Sequence, residues 1–250
     1  MNSPADRLQP GQDVSHAKVV DGTINMNTNS VGQRAWIRLP SGKHLDLISP
    51  SPDAWTDMDL AVRLSRTPRW GGESTWPRPL SVAQHSLTVL ALRRSWSNTP
   101  LSPPDARNEL LHDAEEALLG FDCIKPLKAV LGTPFRDVSE RLMAAISIRY
   151  HLPLWTPDVH RIHKRADSIA AASEAVHCVG WTEKEVREVL GIADPILEED
   201  PLARLYDCQP WAPWSHDIAA ERFLDEMTKL KNLATQDGDK LRRSANPVHA

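Results

Sequence analysis

From Trp55 onward the apolar positions of this chain fall mostly at intervals of three and four, the spacing of one buried stripe on each of several helices. Before that point the pattern alternates. Ala35-Trp-Ile-Arg-Leu39 and His44-Leu-Asp-Leu-Ile48 flank Pro40-Ser-Gly-Lys43, which predicts a short β-hairpin. Helices are predicted over Asp57 to about Arg66, with Thr56 or Asp57 as cap, and over Ser81 to about Trp96. A third opens at Pro103–Pro104, where proline suits a first turn, and runs to about Leu119. Others run from about Phe135 to Tyr150, Asp158 to about Val179, Thr182 to Leu190 and Ser215 to about Leu233. Thr182 and Glu185 form a capping box. The stretches Trp70–Pro79, Gly120–Pro126 and Asp194–Pro213 read as loop or connection. The fold class is all-α, a helical bundle with a small N-terminal β-hairpin. The chain divides into a flexible leader (1–30), the main domain (31–193), a connection and helix packing on it (194–233), and a disordered tail (234–250).

Composition narrows the function. A net charge of −4 argues against a surface built to wrap a nucleic-acid polymer. Cys123, Cys178 and Cys208 are odd in number and lack CxxC spacing, so neither a disulfide framework nor a zinc knuckle is expected. No apolar run approaches a membrane span, and the N-terminus lacks the order of a signal peptide. The expectation is a cytoplasmic protein with no membrane partner.

Two imidazoles and two carboxylates, His85, His112, Asp113 and Asp167, stand out as a ligand set for one divalent cation. Mixed nitrogen and oxygen donors suit Mn, Fe, Co, Ni or Zn. His85 shares a helix side with Val82, Val89 and Leu92 and so points inward. On a continuous helix through residue 119, His112, Asp113 and Glu116 gather opposite Leu110, Leu111, Ala114 and Leu118, while Glu115 falls elsewhere as ordinary surface. Asp167 shares a face with Lys164, Ala171 and Glu174. His160 and His163 read as ordinary helix residues, and Gly71–Gly72 lacks the Lys-Ser/Thr of a P-loop.

The order His85, His112–Asp113, Asp167 resembles the HD-domain phosphohydrolase superfamily, and within it the 5′-deoxynucleotidase-like branch together with phage-type deoxynucleoside triphosphate hydrolases. The segments that carry the resemblance are Arg69-Trp70, Ser81-Val-Ala-Gln-His-Ser86, Leu111-His-Asp-Ala-Glu-Glu116, Asp122 through Lys128, and Lys164-Arg-Ala-Asp167. It implies an HD-type helical bundle in which His85, His112, Asp113 and Asp167 hold the metal. Glu116, one turn past Asp113, would handle a water proton. Lys128 and Lys164 would balance phosphate charge, Arg69 would clamp phosphate oxygens, and Trp70 would stack on a base or sugar. Asp122 resembles the carboxylate that reads the deoxyribose, although the match needs a one-residue insertion after Glu116.

The implied activity is removal of the 5′-phosphate from small deoxynucleoside monophosphates. Release of tripolyphosphate from a deoxynucleoside triphosphate uses the same residue types and stays open. So does a non-catalytic nucleotide sensor that keeps the metal shell. The resemblance also implies a homo-oligomer.

Overall fold

In a computed structural model of the chain, residues 35–245 are described. The architecture is all-α with one small hairpin, as the patterning predicts. β1 (Trp36–Arg38) and β2 (His44–Asp46) pair antiparallel with Ile37 opposite Leu45. Ser41 in the turn donates through both its backbone N–H and its hydroxyl to Asp59, which fastens the hairpin to the first helix.

Helix α1 (Asp57–Arg66) is capped by Thr56 with Asp59 closing the box. Helix α2 (Val82–Ser95) starts at Ser81, whose hydroxyl accepts from the Gln84 N–H. Nearly every side chain of α2 from Val82 to Leu90 is buried, because α1, α3 (Pro103–Leu110), α6 (Pro157–Glu174) and α9 (His216–Ala245) all pack on it. A helix enclosed on all sides has no need of a polar face, and this one is the axis of the bundle. Its contact with α6 is made by Val89 and Leu92 against Ala166, Ile169 and Ala170. The main core joins Leu60 and Leu64 of α1, Leu90 of α2, Leu110 of α3, Leu118 of α4 (Ala114–Leu119), Leu142 and Ile146 of α5 (Lys125–Tyr150), and Phe223 of α9.

Several boundaries depart from the patterning. The single helix expected over 103–119 is two, with Leu111 (φ −104°, ψ 12°) and Asp113 (φ −112°, ψ 23°) outside helical geometry. Helix α5 begins at Lys125 rather than near Phe135 and kinks at Gly132 (φ 68°), two residues before Pro134. The segment Gly120–Pro126, read as loop, therefore contributes the first turn of a helix. After Glu174 the chain widens into a π-helical turn, Ala175–Val179, before α7 (Glu183–Glu188), whose Thr182/Glu185 capping box forms as expected. The connection over 194–213 contains one helical turn, α8 (Ala203–Tyr206). It is tied to α2 by Gln84, which donates to the Ala212 carbonyl and accepts from the Trp214 N–H. Helix α9 continues past Leu233 to Ala245, so much of the expected tail is helical. The rest of that tail and the 1–30 leader lie outside the described residues.

Helix α9 packs on its own domain, chiefly against α1 and α3, through Ala219, Phe223, Met227 and Leu230. No helix among the described residues is long and apolar enough to cross a membrane. Because Phe223 is wholly buried between these helices, Phe223→Ala should lower unfolding free energy by roughly 3–5 kcal/mol. Urea unfolding followed by circular dichroism checks this; a loss under about 1 kcal/mol would mean that α9 is not part of the core.

Candidate metal centre

His85, on the buried axis α2, is fully enclosed, and His112 and Asp113 sit in the turn between α3 and α4. Asp167 comes from α6. One donor atom from each of these four residues lies within 4.8 Å of the others. The two adjacent ligand candidates lie in a break between α3 and α4, where the backbone at Leu111 and Asp113 leaves helical geometry.

The two imidazoles are oriented from behind. His85 Nδ1 lies 2.7 Å from Glu174 Oε1, and His112 Nδ1 lies 2.9 Å from the Glu109 carbonyl. Glu174 is held ionised: burial opposes its charge, but His85 and Arg69 keep it below the usual carboxylate range. A carboxylate and a carbonyl can only accept, so both Nδ1 atoms carry hydrogen and both Nε2 atoms present lone pairs in the neutral rings. Those Nε2 atoms are buried and make no hydrogen bond. They nevertheless approach carboxylate oxygens, His85 at 3.3 Å from Asp167 and 3.7 Å from Asp113, and His112 at 3.1 Å from Asp113. Lone pairs facing carboxylates repel unless a positive charge lies between them. The donor set therefore fits a divalent cation, with the carboxylate behind His85 in the place such a partner takes in metal sites.

A proton is the other way to meet the same demand. Burial and Arg69 disfavour an imidazolium at His85, yet Glu174 and Asp167 outweigh them and push its pKa up to about 10. His112 is raised as well, with burial opposed by Asp113. Asp113 and Asp167 are both held far below the ordinary range; burial would raise them, but the two histidines prevail.

Basic residues ring the cluster. Arg69 is buried, with Nε 3.0 Å from Glu174 and Nη1 3.4 Å from Asp122 and 3.8 Å from Asp113. Lys128 meets Glu116 at 2.9 Å and Lys164 meets Asp167 at 2.9 Å.

Every expected metal ligand thus converges, as do Glu116, Arg69, Asp122, Lys128 and Lys164 around them. Trp70 is placed differently: its ring is partly buried against the cluster formed by Ala172, Ala175 and Val186, as a loop anchor. Glu115, expected on the surface, is buried, with Oε1 accepting from the Ser139 hydroxyl of α5 at 3.3 Å. Burial and nearby Asp113 push its pKa up to about 7. His163, read as an ordinary helix residue, is buried on Glu109 at 2.7 Å, and Arg93 holds the other Glu109 oxygen at 2.6 Å. Glu174, at the His85 ring, and Glu109, whose carbonyl meets the His112 ring, are residues of the cluster's surroundings that the patterning missed. Glu174 left a trace in sharing the Asp167 face; Glu109 left none.

Fold and centre together define an all-α protein with a buried His/Asp cluster able to hold a metal ion. No family model matches the chain. Over 174 residues it is 37% identical to an uncharacterized protein of Rhodobacter capsulatus, an alignment covering 69% of this chain and 88% of that one. The chain belongs to the family of that protein.

Substitution and pH dependence both check the centre. Asp113→Ala should abolish the rise in Tm that Mn or Co gives the unaltered protein, and Glu174→Gln should weaken cation affinity roughly 10–100-fold by loosening His85. Since ligation needs neutral imidazoles and the pKa values of both are raised, affinity should climb with pH through neutrality. Protons should be released on binding, seen as calorimetric heats that scale with buffer ionisation enthalpy. Affinity that stays flat between about pH 6 and 8 would refute this ligand set.

Proposed function

We propose that this protein is a metal-dependent phosphohydrolase of the HD type that removes the 5′-phosphate from small deoxynucleoside monophosphates. The observation that carries the proposal is the pair of buried, unpartnered Nε2 atoms of His85 and His112 aimed at Asp113 and Asp167. The ordered resemblance along the sequence supplies the phosphohydrolase class. Held by these four residues, a divalent cation would polarise a phosphoryl oxygen and make a water molecule more acidic.

The chain's own groups account for the rest. Glu116 lies at the start of α4, beside Asp113. Its Oε1 accepts from Lys128, while its buried Oε2 has no partner. That free oxygen is the group placed to take a proton from an attacking water. Burial together with Asp113 and Asp122 pushes the Glu116 pKa up to about 9, against the pull of Lys128. A carboxyl with so strong a hold on a proton is a competent base once extra positive charge near Asp113 lowers it into range.

Lys128 and Lys164 are part-exposed ammonium groups on either side of the cluster and are suited to offsetting charge on a phosphoryl group. Arg69 is engaged by Glu174, Asp122 and Asp113, so it holds the carboxylates apart and aims Asp122 as well as offering charge to a phosphate. Asp122 is the group proposed to read the sugar.

Glu116→Gln should keep the metal and lose 100- to 10,000-fold in turnover, on the order expected for a general base. The decisive assay is product analysis of metal-loaded protein on a panel of deoxy- and ribonucleotide mono- and triphosphates. Orthophosphate from deoxynucleoside monophosphates is the expected product. Tripolyphosphate from triphosphates would replace that substrate, and no turnover with metal confirmed present would overturn the enzymatic reading in favour of a nucleotide sensor.

A further inference from the structure

An open groove of about 480 Å³ lies beside the hairpin, lined by Arg38, Leu39, Pro40, Arg63, Arg66 and Thr67, with Gly120 at its edge. Arg38 comes from β1, and Arg63 and Arg66 from the last turn of α1. No acidic side chain lines the groove, and among the described residues none of the three guanidiniums is ion-paired. The nearest opposing charge on Arg63 is Asp59, one turn earlier, whose oxygens are occupied by Ser41 and Thr56.

The walls are fixed. Ser41 pins the hairpin turn to α1. Arg63 donates from Nε to the Ala117 carbonyl at 2.6 Å and from Nη2 to that of Leu118 at 3.3 Å, which anchors its plane against the end of α4. Gly120, at φ 90°, leaves room for this: a Cβ there would come within 3.2 Å of Arg63 Nη2. Basic residues in the last turn of α1 complement its helix dipole. That accounts for Arg63 and Arg66 but not for Arg38, which reaches the same space from another element.

We propose that this groove binds a small oligophosphate anion. Planar guanidiniums match phosphate oxygens in pairs, and a second phosphate offers oxygens to a further guanidinium. The volume falls in the range of small-ligand sites, and the exposed Pro40 supplies an apolar edge for whatever carries the phosphates. None of the lining residues belongs to the His/Asp cluster, so the proposal does not depend on what that centre catalyses.

The test is calorimetric titration of inorganic pyrophosphate into the full chain at fixed ionic strength and fixed metal content, compared with Arg38→Ala/Arg66→Ala. Both side chains are exposed and unpaired, so the fold is not at risk, and Arg38→Gln/Arg66→Gln serves as a second pair. Any pyrophosphate that binds at the metal centre is common to all three proteins. The expected result is a binding event in the unaltered protein that weakens roughly tenfold or more in both double variants. Superimposable titrations, a smaller change, or no binding below about 1 mM in the unaltered protein overturns the proposal.

Discussion

Taking an ion out of water costs several kcal/mol even after the protein relaxes around it. The centre of this bundle sets the half-buried Asp113 with the buried Glu116 and Glu174, with Asp122 and Asp167 close by. The arrangement holds only if positive charge is distributed among them, and Arg69 is the hub of that distribution. It ties Glu174 from α6, Asp122 from the segment before α5, and Asp113 from the α3–α4 turn to one guanidinium. Its nitrogens do not reach between the histidines and the aspartates, and there the geometry still calls for positive charge. The fold is in this sense organised around a deficit of positive charge.

The bundle serves that deficit by enclosing α2. Because His85 lies on a helix that other elements surround, its ring has neither water nor rotameric freedom, and Glu174 sets which nitrogen faces forward. The α3–α4 turn holds the next two candidates: His112 and Asp113 sit where the backbone between the helices leaves helical geometry, and both reach the cluster. Residues in that sparsely populated region of φ/ψ space are common at functional sites, where tertiary packing holds them.

Most of the fold was legible where chemistry is local. Thr56 with Asp59, Ser81, and Thr182 with Glu185 announce helix starts by themselves, and Pro40-Ser-Gly marks the hairpin. The α3–α4 break was not legible, because no glycine or proline lies between residues 105 and 119 to mark it. The burial of Glu115 was hidden as well, since it depends on packing against α5, where Ser139 meets its carboxylate. Gly120 and Pro126 suggested a longer loop than forms, because a proline near a helix start permits a helix as readily as it ends one. The four ligand residues could be picked out by type and order. Glu174 and Glu109 could not, since each acts on a histidine through the folded geometry alone.

The bond between His85 and Glu174 joins positions 89 residues apart, and that between Arg69 and Glu174 joins positions 105 apart. Loops of that length close at an entropic cost that must be met before their contacts give anything back. The hairpin, α1 and the capped helix starts form from near neighbours, whereas the centre has no partial version: with α6 undocked, His85 loses its orienting carboxylate and Asp167 is absent. The cluster is therefore completed by contacts that close long loops, and a cation held there would tie α6 to α2. The competence of the site and the docking of α6 on α2 are one and the same event.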